Sequence, residues 1–218
     1  MNQITTFVFD VDGVLTDGTI HVTPTGEMLR NMNIRDGYAM KAALENGYTV
    51  CIISGGSNEG VRVRLRNLGI TDIYLGVPNK VETFKEFTDI YGIAPENVLY
   101  MGDDIPDYHV MQLVGLPTCP QNAVPEIKGI SHYISHIEGG KGAVRDVIEQ
   151  VMKVQGKWME HFDAKFDWWG MRDDGRWELE ELCETLWLTL CDFVLNYEPY
   201  KRGLTVGQTK PLILLATD

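Results

Sequence analysis

Four short apolar runs constrain this chain more than anything else in it. They are ITTFVF (4–9), YTVCIIS (48–54), DIYLG (72–76) and NVLYMG (97–102). Each is rich in β-branched and aromatic residues and nearly continuous in apolar character, as strands covered on both faces must be. Helical segments separate them: DGYAMKAALENG (36–47), NEGVRVRLRNLG (58–69) and NKVETFKEFTDIYG (79–92), each stopping at a glycine. Strand–helix alternation of this kind predicts an α/β fold with a parallel, Rossmann-like sheet sandwiched by helices and right-handed crossovers. Weaker signals extend the pattern with a helix near 104–114, strands near 116–119 and 131–135, and a helix over 142–154. One insert breaks it: TIHVTPTGEMLRNMNI (19–34) reads as two strands around the turn TPTG, a β-hairpin flap too short to be a domain.

Polar residues collect where these strands end. The first strand ends on Asp10 and Asp12, the second on Ser54, Gly55 and Gly56, and the fourth in GDDIPD with Asp103, Asp104 and Asp107. Asn79 and Lys80 open the helix after the third. In an open parallel sheet the crevice outside the carboxyl ends of the strands is the ligand site. A buried strand that finishes on two negative charges is therefore delivering them to chemistry.

A phosphate ester gives each group work. Clustered carboxylates repel unless a cation lies among them, and hard oxygen donors suit Mg²⁺, which also binds substrate phosphate. Asp10 is placed to attack phosphorus and form an aspartyl-phosphate. Asp12 is placed to protonate the leaving oxygen and later activate water. Ser54 and the amides after it, ahead of a helix, form an anion cradle. Lys80 supplies a point charge for the phosphoryl oxygens, and Gly13 lets the backbone turn sharply beside the metal. Taken singly, each motif also fits a turn, a helix cap or a solvated surface. All four at strand ends, in this order, favour catalysis.

The bulk numbers narrow the partners. The 218 residues are 44% hydrophobic and 23% charged, which suits one globular domain with an appendage. A net charge of -12 argues against nucleic acid or an anionic membrane as the main partner, while a cleft cation can still reverse the sign for a small anionic substrate. No apolar run reaches 18 residues, so no membrane span is expected. MNQITTFVFD lacks the basic start and cleavage site of a signal peptide. Cys51, Cys119, Cys183 and Cys191 form no C-x-x-C pair, so reduced thiols and a cytoplasmic location are expected.

After about residue 157 the character changes. All five tryptophans lie in 158–218, with 12 acids against 6 bases, and Leu179, Leu182, Leu186 and Leu190 share one helical face within 178–196. The expected organisation is a catalytic domain over 1–157 and an extension over 158–218. The extension's role is open among external packing, an oligomer contact and obstruction of the site.

The constellation resembles the haloacid dehalogenase superfamily of aspartate-nucleophile phosphatases. FDVDGVLTDG is similar to its first motif, IISG to the second, Lys80 to the third and GDDIPD to the fourth. A hairpin in place of a cap domain resembles the capless subgroup. NIRDGYAMK (33–41), VRVRLRNLGI (61–70) and GGKGAVRD (139–146) resemble the branch acting on 3-deoxy-D-manno-octulosonate 8-phosphate, which makes free Kdo for lipopolysaccharide. The resemblance implies Asp10 as nucleophile and metal ligand, and Asp12 as acid/base lending a backbone carbonyl to Mg²⁺. It implies Asp103 as the third protein ligand, with Asp104 and Asp107 supporting the metal shell. Asn33, Ile34, Arg35, Asp36, Gly37, Lys41 and Arg64 would line the substrate path, with Ser54, Gly55 and Lys80 on the phosphate. It also implies a homotetramer with shared sites, to which the hairpin and the Gly139–Arg145 segment contribute.

Departures from the pattern keep alternatives open. Ser54 stands where many relatives have threonine, and Gly56 and Ser57 stand where many octulosonate phosphatases have arginine after the motif-two glycine. Phosphatases of nine-carbon 2-keto acid 9-phosphates, of the sialic acid type, are similar too, although Gly56 does not match the acidic residue they often carry. A catalytically idle binding subunit is opposed by the intact Asp10, Asp12, Lys80 and Asp103. A phosphotransferase or mutase is opposed by the lack of a cap to exclude water.

Overall fold

The computed structural model describes residues Met1–Trp158. The six-stranded sheet is parallel throughout, built from β1 (Thr6–Phe9), β4 (Thr49–Ser54), β5 (Asp72–Leu75), β6 (Val98–Met101), β7 (Leu116–Cys119) and β8 (Tyr133–Ile134) in the order β5-β4-β1-β6-β7-β8. The chain runs from central β1 to β4 and β5 on one side, then crosses to β6, β7 and β8 on the other. That reversal opens a crevice at the carboxyl end of β1, between the ends of β4 and β6.

The two-residue period of the strands sorts the core into two layers. Phe7 and Phe9 of β1, Val50 and Ile52 of β4, and Leu99 and Met101 of β6 pack on one face. Against them lie α1 (Ile34–Glu45), α2 (Glu59–Asn67) and α6 (Ala143–Val154), through Met40, Leu65 and Val147. Val8, Cys51, Ile53, Val98 and Tyr100 face the other way. There α3 (Lys80–Tyr91), α4 (Tyr108–Met111) and α5 (Pro125–Ile130) cover them with Phe84, Phe87, Met111 and Ile127. Cover on both faces explains why the strands read as unbroken apolar runs.

The expected strands and long helices are present, shifted by one or two residues at their ends. Asn33, Asn58 and Asn79 cap α1, α2 and α3 by accepting from the backbone N–H of Arg35, Val61 and Val81. The helix expected near 104–114 is a helical turn at Ile105–Asp107 followed by α4, because Pro106 and its capping aspartate set up a tight turn first. The short helix α5, opened by Pro125, went unread in the sequence. The flap is β2 (His21–Val22) paired antiparallel with β3 (Met28–Leu29), closed by Gly26 N–H donating to the Thr23 carbonyl. Cys51 and Cys119 are buried free thiols. The leucine face at 178–196, Cys183, Cys191 and the remainder of the extension past Trp158 lie outside the described residues.

Candidate active site

Asp10 follows the last residue of β1 and is nearly buried, at 7% exposure. Its Oδ1 accepts from the Val11 N–H at 2.6 Å and its Oδ2 from Lys80 Nζ at 2.6 Å. Lys80, the first residue of α3, also donates to Asp107 Oδ1 at 2.7 Å. Tyr100 donates its hydroxyl to the same oxygen at 2.8 Å from inside β6, and Asp107 Oδ2 accepts from the Asp103 N–H at 3.3 Å. One carboxylate oxygen each from Asp10, Asp103 and Asp107 lie within 4.8 Å of one another.

One lysine does not balance three carboxylates in a covered site, and the ionisation of the group reflects it. Burial and the neighbouring Asp107 push Asp10 up to about 6, against the pull of Lys80. Burial, then Asp10, Asp107 and Asp104, push Asp103 up to about 7. Burial draws the Lys80 ammonium down, but Asp10 and Asp107 outweigh it and leave Lys80 raised and charged. Burial likewise keeps the Tyr100 hydroxyl protonated as a donor. A cluster of hard oxygen donors with excess negative charge fits a divalent cation such as Mg²⁺.

The backbone is shaped to let these groups meet. Gly13 has φ +84°, and a Cβ there would overlap the Asp103 carboxylate, so any other residue would be strained and would displace Asp103. Asp12 sends its side chain away from the cluster. Both its oxygens are taken by Arg30, with Nε to Oδ1 at 2.6 Å and Nη2 to Oδ2 at 3.1 Å. Any share of Asp12 in a metal therefore falls to its backbone carbonyl. Asp104 is exposed and caps the next turn through the Ile105 N–H at 2.8 Å. Of the acids in GDDIPD, Asp107 is the one that Lys80 and Tyr100 both engage. Ser54 is buried at the end of β4, with its Oγ accepting from the Gly56 N–H at 3.4 Å, while Gly55 is exposed.

The expected substrate segment lies at the start of α1. Asn33 donates to the Gly140 carbonyl at 3.4 Å, and the Gly140 N–H donates to the Val14 carbonyl, which ties this segment to the first motif. Ile34 and Arg35 are exposed and Lys41 is half-buried one turn beyond Gly37. Asp36 faces inward, accepting from the Arg145 N–H at the start of α6 at 2.8 Å. Burial pushes it up to about 6, against the pull of that N–H, and its Oδ2 has no hydrogen-bond partner among the described residues. Arg64 reaches from α2 to α1: its Nη2 lies 2.8 Å from where a Cβ on Gly37 would be, so that glycine makes room for it. The Arg145 guanidinium lies 5.8 Å from the centroid of the Tyr38 ring and 5.5 Å from that of the Trp158 ring. Sequence reasoning missed the Arg30–Asp12 pair and the Tyr100 hydroxyl. For Arg30 the one available signal was a lone cation closing the flap.

Residues 69–148 match the model of a family described as haloacid dehalogenase-like hydrolase. A 3-deoxy-D-manno-octulosonate 8-phosphate phosphatase of Salmonella typhi is 42% identical over 155 residues, 71% of this chain and 82% of that protein. The crystal structure of the phosphatase of that name from Yersinia pestis superposes with a TM-score of 0.72 at 36% identity, covering 73% of this chain and 86% of that one. The enzyme from Moraxella catarrhalis, solved with magnesium, phosphate and Kdo, gives a TM-score of 0.70 at 32% identity over 72% of this chain and 91% of that one.

Proposed function

The chain belongs to the haloacid dehalogenase-like hydrolases, and from that membership we propose that it is a Mg²⁺-dependent phosphatase releasing phosphate from 3-deoxy-D-manno-octulosonate 8-phosphate. The observation that carries the reading is the junction at Lys80, whose ammonium holds Asp10 at 2.6 Å and Asp107 at 2.7 Å beside Asp103. Relatives of 32 to 42% identity that bear this activity in their names supply the sugar acid.

Asp10 is the nucleophile. The Val11 N–H and Lys80 fix its two oxygens, so the carboxylate is aimed before substrate arrives. As the Asp10 oxygen bonds to phosphorus, the bond from phosphorus to the sugar oxygen breaks, and Asp12 gives that oxygen its proton. Asp12 then takes a proton from the water that attacks phosphorus, returning Asp10 as a carboxylate and releasing inorganic phosphate. Ser54 Oγ and the amides after it hold the phosphoryl oxygens, and Lys80 offsets their charge. Asp10 and Asp103, supported by Asp107 and by the Asp12 carbonyl, would hold Mg²⁺, which draws off phosphoryl charge and lets an anion approach a carboxylate.

Arg64, seated over Gly37, faces the substrate segment Asn33–Lys41 and pairs with the sugar acid's carboxylate. The catalytic domain is residues 1–157, with 158–218 as an extension. A homotetramer with sites shared between protomers is supported by the apolar flap, where Ile20, Val22, Met28 and Leu29 are exposed. No helix among the described residues is long and apolar enough to cross a membrane, and the location proposed from the reduced thiols expected of the sequence is the cytoplasm. A hydrolysis screen with Mg²⁺ over phosphorylated sugar acids tests the reading. The eight-carbon 8-phosphate should be hydrolysed fastest; preference for a nine-carbon 9-phosphate, or no hydrolysis of any sugar acid, would overturn it.

A further inference from the structure

Arg30 follows the second flap strand and reaches back across the crevice. Its fork meets the Asp12 carboxylate tooth for tooth, and its side chain is only 8% exposed. The flap above it is tied down a second time, by Asn58 Nδ2 donating to the Met28 carbonyl at 3.0 Å. Arg30, Asp12, Ser54 and Gly56 line one recess. Gly56 leaves space for the guanidinium: a Cβ there would lie 2.8 Å from Asp12 Oδ2, 3.4 Å from Arg30 Nη2 and 3.8 Å from Ser54 Oγ. A cation, the acid/base carboxylate and the hydroxyl of the phosphate cradle thus converge on one point.

The pair cannot persist through turnover. A guanidinium has donors only, so the fork seats both oxygens of Asp12 as acceptors, and while it holds, Asp12 cannot donate to the leaving oxygen of the ester. A planar guanidinium that fits a carboxylate bidentately fits a phosphoryl group equally well. Resting on the phosphatase reading above, we propose that Arg30 is a substrate-binding residue. Its guanidinium exchanges Asp12 for the phosphoryl oxygens of the incoming ester, which frees Asp12 for the leaving oxygen. The ligand class is any phosphomonoester, and inorganic phosphate as product.

The test compares full-length wild type with Arg30→Ala, Arg30→Lys and Asn58→Ser. It measures calorimetric binding of inorganic phosphate to the Mg²⁺-loaded protein, and KM for the octulosonate 8-phosphate, glycerol phosphate and 4-nitrophenyl phosphate. Loss of charge-assisted hydrogen bonds in Arg30→Ala should weaken phosphate binding and raise all three KM values by about 10- to 100-fold. Arg30→Lys should recover part of this. Asn58→Ser can still cap α2 but unties the flap, and should bind phosphate as wild type does. An increase confined to the octulosonate ester would show that Arg30 reads the sugar acid's carboxylate instead. Unchanged phosphate binding in Arg30→Ala, or equal weakening in Asn58→Ser, would reduce Arg30 to a structural tie of the flap. The phosphate titration needs no turnover, so it reports on Arg30 even if the sugar-acid assignment fails.

Discussion

Replacing Lys80 by methionine keeps an unbranched side chain one atom shorter and removes the charge that joins Asp10 to Asp107. Both carboxylates are nearly buried, at 7% and 0% exposure, and Lys80 approaches each within 2.7 Å. Removing one partner of a buried pair costs about 3–5 kcal/mol, because a charge is left uncompensated. At about 2–4 °C per kcal/mol for a chain of this size, the melting temperature at pH 8 without metal should fall by roughly 10 °C. The loss should depend on pH with a definite sign. Asp10 titrates at about 6 in the fold against 3.8 for a free carboxyl, and losing Lys80 raises it further. The folded variant therefore holds a proton at pH 5 that the unfolded chain has largely released, and one of the two stranded charges disappears. The deficit should shrink to about half at pH 5, and Mg²⁺ should restore part of it at pH 8 by binding the folded state. Paired thermal melts of wild type and Lys80→Met at pH 5 and pH 8 read this directly. A deficit equal at both pH values, or none at pH 8, would refute the argument that Lys80 neutralises these carboxylates.

Mg²⁺ itself should stabilise the wild type more at pH 8 than at pH 5. Asp10 and Asp103 have folded pKa values raised to about 6 and about 7, so their contribution to metal-free stability is full below about pH 4 and is lost as pH rises toward 7. Protons and metal compete for the same oxygens, and equal thermal shifts at the two pH values would contradict this. Arg64→Ala should raise KM for the sugar-acid phosphate about tenfold or more while sparing 4-nitrophenyl phosphate, since a charge-assisted pair to the carboxylate is lost and the phosphoryl-transfer groups stay in place; equal loss on both substrates would remove Arg64 from acid selection. Light scattering of the full-length protein should give four copies, and a fully active monomer would refute sharing of the sites.

Much of the site was legible because strand ends are legible. Phe9 to Asp10, Ile53 to Ser54 and Met101 to Asp103 each mark the step from a covered strand to the crevice, and a parallel sheet sends those steps to one edge. What stayed hidden depended on side-chain direction within irregular backbone. Asp103, Asp104 and Asp107 look alike in sequence. The turn at Ile105–Asp107 decides that Asp104 caps the backbone while Asp107 folds back onto Lys80 and Tyr100. Tyr100 reads as one more core residue of β6, and its hydroxyl partner is set by the loop after the strand. Arg30 is 18 residues from Asp12, at the end of a hairpin whose strands are two residues each, too short for periodicity to aim a side chain. Asp36 is expected along the substrate path with its neighbours in NIRDG, and sequence alone does not show that the packing of α6 turns it inward onto the Arg145 N–H.

The central claim is that Asp10 carries the phosphoryl group. Acid-quenched turnover of 3-deoxy-D-manno-octulosonate 8-phosphate with Mg²⁺, followed by peptide mass spectrometry, tests it most directly. The peptide containing Asp10 should carry a phosphoryl group in the wild type, and Asp10→Asn should show neither that adduct nor turnover. Substantial phosphate release by Asp10→Asn, or a phosphoryl group on a different residue of the wild type, would contradict the account.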